Sequence, residues 1–94
     1  MRRGPIPVTE ETRGNNAHEE VALTVLFQEV SFGFGATQLK IINEASKNCQ
    51  FSFDGSTVDG TVLNNSIDTS TLAGQDSVWV RVTAGIGTGY VRAY

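Results

Sequence analysis

The chain has 94 residues, enough for one small domain with a thin core, because a domain of this size buries only about 60–65% of the surface its unfolded chain exposes. Ten glycines against two prolines, with 39% hydrophobic residues, favour a turn-rich β protein. The net charge of −3 and the scatter of seven basic residues argue against nucleic acid as a partner, and no run approaches the ~20 apolar residues that span a bilayer.

Residues 1–19 form a polar, charged and turn-rich arm in which Ile6 and Val8 are isolated apolar anchors. Gly14-Asn15-Asn16 would interrupt any helix begun at Thr9, and alone such a segment should be disordered. Pro5 and Pro7 suit an extended peptide laid along a surface, a neighbouring subunit in preference to its own domain. Met1-Arg2-Arg3 opens like the basic end of a signal peptide, but Gly4-Pro5 follows and no apolar segment appears. The expectation is therefore synthesis in a cytoplasm without signal-peptide export.

A β domain is predicted over residues 20–94. Glu20 to Phe27 is apolar on both faces and reads as a central, doubly covered strand. Phe32-Gly33-Phe34-Gly35 is a loop or a short bent strand whose rings close one end of the core. Leu39 and Ile41 alternate with Gln38 and Lys40, and after a polar turn over 43–48 the chain resumes with Cys49, Phe51 and Phe53 on one face. These two segments read as a central hairpin. Asp54-Gly55 and Asp59-Gly60 supply turns, followed by a short strand over 61–63 and a turn at Asn64-Asn65-Ser66. Residues 67–72 make a weak edge strand. After a turn at Gly74-Gln75-Asp76, Val78, Val80 and Val82 point inward while Trp79 and Arg81 point outward. The last strand returns with Val91 and Ala93 inward and Tyr90, Arg92 and Tyr94 outward. About seven strands make a small antiparallel sandwich or partly closed barrel with an extended N-terminal arm.

Candidate chemistry is sparse. One histidine, His18, lies in the arm, and no second histidine could serve as base in a triad, so no catalytic residue is assigned. Asp54, Asp59, Asp68 and Asp76 fall in or near turns, and DGSTVDG lacks the ligand spacing and closing Glu of an EF-hand loop, so neither metal nor cofactor is expected. Cys49 alternates with two phenylalanines and reads as a small buried hydrophobe; a single cysteine forms no intrachain disulfide. What remains is a set of outward residues, Trp79, Arg81, Tyr90, Arg92 and Tyr94, placed together by a terminal hairpin. These are the residue types enriched at protein interfaces, and with Ile6 and Val8 they form the expected interface. The plainer account is cross-strand aromatic–arginine pairing on a solvent face, worth about 0.5–1 kcal/mol a pair.

The segments IINEASKNCQFSFDGSTVDG and VWVRVTAGIGTGYVRAY resemble small structural proteins of tailed bacteriophages. There an Ile-Asn strand end precedes an sFDG hairpin, and a V-x-V-R … v-R-a-[WY] hairpin closes the chain. Ile42-Asn43, Ser52-Phe53-Asp54-Gly55, Val80-Arg81 and Val91 to Tyr94 occupy those positions, with Tyr94 where Trp is common. The match covers residues 38–94. It implies a virion β protein that is not an enzyme: a capsid decoration (cement) protein bridging capsid subunits, with a head–tail adaptor or ring, or a receptor- or glycan-binding fibre domain, as alternatives. The partners so implied are the major capsid protein or other virion proteins and further copies of the chain, a trimer by analogy, with no nucleic acid or membrane contact.

Overall fold

Six strands build the part of the chain that the structure, a computed structural model, describes: residues 16–94. They are β1 (Ala17–Leu23), β2 (Gln28–Asn43), β3 (Cys49–Ser52), β4 (Gly60–Val62), β5 (Ser66–Val82) and β6 (Gly87–Ala93). All pair antiparallel in one sheet of order β1-β6-β2-β5-β3-β4. The expectation of a small all-β antiparallel fold is met, with six strands in place of about seven and a sheet that does not close.

The long strands β2 and β5 organise the molecule. Their pairing runs from Gln28↔Val80 to Ser31↔Ser77, slips on either side of Ala36, and resumes from Gln38↔Thr71 to Asn43↔Ser66. Gly33 and Gly74, at φ +82° and +86°, lie in the slipped stretch, where bulges bend the paired strands. The bend folds the sheet on itself into two layers. One holds β1, β6, residues 39–43 and residues 66–71; the other holds residues 28–31, residues 77–82, β3 and β4. Hydrogen bonds tie the layers together, from Val82 N to Thr24 O in the turn after β1 at 2.8 Å and from Asn43 Nδ2 to Val62 O at 3.1 Å. Between them lies the core, with Leu39, Val78, Val80, Val82, Val62 and Val91 almost wholly enclosed.

Four local expectations change. The segments read as strands over 67–72 and 77–83 are halves of β5, because Gly74 supports a bend in place of a chain reversal. Residues 39–43 and β3 are not a hairpin: residues 77–82 of β5 lie beside β3, and the turn after Asn43 carries the chain into the other layer. Likewise β5 and β6 do not pair; β6 sits between β1 and β2. Among the described residues, the first strand is also an edge and not central. It spans Ala17–Leu23, starting three residues before the boundary expected at Glu20, and Val25 (49% exposed) and Leu26 (73%) are in the turn that follows. The rule that a strand apolar on both faces is covered on both faces fails here, because half of those apolar residues lie beyond the strand.

Candidate interaction surfaces

Strand alternation places the outward residues, and the fold separates them. Trp79 and Arg81 stand on the outer face of the β3-containing layer, opposite Ser52 and Gln50 on β3. Arg81 is engaged within the chain: its Nε donates to Gln50 Oε1 at 2.9 Å and its guanidinium carbon is 4.2 Å from the centre of the Phe27 ring. Trp79 packs on the turn after β3, where a β-carbon on Gly55 would come within 3.2 Å of the indole. That turn is built by carboxylates. Asp54 Oδ1 accepts from Ser52 Oγ and from the Ser56 and Thr57 N–H groups, each at 2.8 Å, while Asp59 Oδ2 accepts from Phe53 N at 2.7 Å. The hydrogen bonds from Thr57 and Ser56 hold the Asp54 carboxyl well below the usual carboxylate range. Turn chemistry thus accounts for both aspartates, while Asp68 and Asp76 lie within β5. Among the described residues, no three His, Cys, Asp or Glu side chains converge as a metal site would require.

Tyr90, Arg92 and Tyr94 stand on the outer face of the other layer, so the five residues expected on one surface occupy two opposite faces. Ile6 and Val8 lie outside the described residues. The registers of β1, β6, β2 and β5 line up a transverse row, His18–Arg92–Lys40–Thr69, and a second beside it, Glu20–Tyr90–Ile42–Ile67. His18 and Tyr90 meet edge to face with ring centres 5.9 Å apart. Ile67 is 59% exposed and Tyr94 43%. Beside Tyr94, a shallow polar groove of about 470 Å³ runs past Gln38, Lys40, Thr69 and Thr71. The Nε of Arg92 is shielded from solvent and has no hydrogen-bond partner. Buried polar atoms in folded proteins are nearly always paired, and this one is an exception.

His18, Lys40, Ile42 and Ile67 were not among the candidates read from sequence. They join Tyr90 and Arg92 only through strand pairings between residues 25 to 74 positions apart, which no local pattern carries. The alternation of Lys40 with Leu39 and Ile41 was the one available signal.

Cys49 is fully enclosed, as the alternation predicted, and burial pushes its thiol up to about 11. At pH 8 the native thiol should therefore react with iodoacetamide far more slowly than the thiol of the urea-unfolded chain. Equal rates in the two states would contradict this burial.

The chain matches no family model and no curated protein. Its fold is similar to that of solved β proteins. A cupin-like protein from Desulfovibrio desulfuricans aligns with TM-score 0.51 at 14% identity, covering 85% of this chain and 73% of that one. The iron(II) form of HppE aligns with TM-score 0.53 at 8% identity, over 89% of this chain but 46% of that one. A Bacillus endospore appendage protein, from disulfide-linked pili, aligns with TM-score 0.52 at 13% identity over 83% of each chain. Identities this low establish a shared jelly-roll-like β architecture and no shared chemistry.

Proposed function

We propose that this chain is a non-catalytic structural subunit of a bacteriophage particle, a decoration protein that stabilises the capsid by bridging neighbouring subunits. The observation that carries the reading is the outer face of the β6-containing layer, where Tyr90, Arg92 and Tyr94 stand with exposed Ile67 around an unpaired, shielded guanidinium nitrogen. Aromatic and arginine side chains around an apolar contact are what a protein interface uses for affinity. The opposite face, with Arg81 already held by Phe27 and Gln50, has less to offer a partner. The resemblance of residues 38–94 to phage virion proteins supplies the class of particle. Stabilisation would come from area buried across subunit boundaries, at roughly 25 cal/mol per Å² of apolar surface before the costs of association.

Quantitative mass spectrometry of purified particles, normalised to the major capsid protein, tests this. The expected result is a copy number comparable with that of the capsid protein. About a dozen copies, the count of a small ring around a portal or tail, would make the chain a head–tail adaptor and overturn the decoration role. Absence from particles would overturn the whole reading.

A further inference from the structure

The row His18–Arg92–Lys40 places three basic side chains side by side across adjacent strands. Directly opposed like charges destabilise a sheet unless something neutralises them. Among the described residues no carboxylate forms an ion pair with Arg92 or Lys40, and Arg92 Nε has no partner at all. The carboxylates on this face are Glu20, in the neighbouring row opposite Tyr90, and Glu44, beside Thr88 one row farther on. An acidic chain has thus left a cationic strip unneutralised on the face proposed above as its contact surface.

The complementary charge lies at the β1 edge of the same molecule, where Glu20 borders both patches. Where β1 meets the N-terminal half of β2, the edges of the two layers border a cleft of about 310 Å³ lined by Glu19, Glu20, Gln28, Glu29 and Ser31. Among the described residues, no neighbouring strand takes up either edge. Gln28 Nε2 reaches across to Ala22 O at 2.7 Å and closes one end. No basic side chain lines this cleft.

We infer that the cationic strip of one copy, Arg92 and Lys40, seats against the acidic cleft of a second copy, with Glu19 and Glu29 supplying the carboxylates. The two patches are different surfaces, so the contact is heterologous: it closes into a ring when the rotation between copies permits and otherwise extends as a filament. The inference rests on the reading of this face as an assembly surface. It names the partner as the chain itself.

Sedimentation velocity of the full chain, over a wide concentration range and at low and high salt, tests it. Self-association is expected and should weaken as salt rises. The double variant Arg92→Glu, Lys40→Glu and the double variant Glu19→Lys, Glu29→Lys should each associate roughly tenfold more weakly or worse, and an equimolar mixture should recover association. Near-ultraviolet circular dichroism of Trp79 in each variant separates lost association from lost folding. A wild-type chain that stays monomeric, variants that associate as the wild type does, or folded variants whose mixture fails to recover would each overturn the inference. A monomer that is nonetheless abundant in particles would defeat the self-contact and leave the decoration role standing. Recovery in the mixture, with the chain absent from particles, would do the reverse.

Discussion

Replacing Asn43 with Leu is expected to lower the unfolding free energy by about 3 kcal/mol, a large fraction of the roughly 5–10 kcal/mol available to a domain of this size. Asn43 ends β2 with its side chain 1% exposed. Its Nδ2 donates to Lys47 O at 2.9 Å, Val62 O at 3.1 Å and Leu63 O at 3.2 Å, while its Oδ1 accepts from Ala45 N at 2.9 Å. Two N–H bonds serve three carbonyls, so one hydrogen is shared. This one side chain ties the end of β2 to the turn that follows it and to the end of β4 in the opposite layer. Leucine fills similar space but leaves three carbonyls and one buried amide unpaired, each costing about 1–3 kcal/mol less whatever water restores. The Asn43→Asp variant separates the two halves of the network: it keeps the acceptor for Ala45 N and loses every donor. It should be destabilised at least as much, because a carboxylate with one donor is then buried against three carbonyl oxygens. Urea unfolding followed by Trp79 fluorescence measures both. A lower midpoint at unchanged slope is the expected signature, and a loss under about 1 kcal/mol for the leucine variant would show that the two layers hold together without this latch.

Asn43 also shows where sequence reading stopped. The polar run places a turn there and Ile42-Asn43 reads as a strand end, but nothing in the local pattern says that an asparagine reaches carbonyls about 20 residues onward. Period-2 alternation reports which way a side chain points relative to its own strand. For that reason the inward sets Val78, Val80, Val82 and Val91, Ala93, and the outward sets Trp79, Arg81 and Tyr90, Arg92, Tyr94, were all legible. Alternation does not report which strand lies alongside. Alternation alone therefore reads adjacent segments as hairpins over 39–53 and 77–94, whereas β5 crosses both layers and β6 inserts between β1 and β2. The glycines at 33 and 74 look alike as bend or turn in one dimension; continued pairing on both sides of the slip makes them bends. Once pairing was misassigned, one expected surface became two, and the cationic strip stayed hidden because its members come from three separate stretches of chain.

The second large effect concerns the end of the β3–β4 hairpin. Gly60 pairs with Phe51, and a β-carbon there would lie 2.3 Å from Phe51 Cζ and 2.5 Å from Cε1, far inside contact distance. The ring has little room to yield: Phe51 is 5% exposed and meets Phe53 edge to face with ring centres 5.7 Å apart. Gly60→Ala should therefore cost about 2 kcal/mol, within the range for forcing an extra methyl into a packed core, and Gly60→Val more. The sign is the informative part, because in an ordinary strand Gly→Ala stabilises by roughly 0.5–1 kcal/mol. Phe51→Leu removes the ring atoms that the new methyl would strike. In the combined variant the alanine should then cost at least about 1 kcal/mol less than it does alone, a coupling of the size seen between residues in contact. Strictly additive losses would place the strain in the β4 backbone and not against the ring. An alanine that stabilises the protein would mean that β3 and β4 sit farther apart than this packing requires.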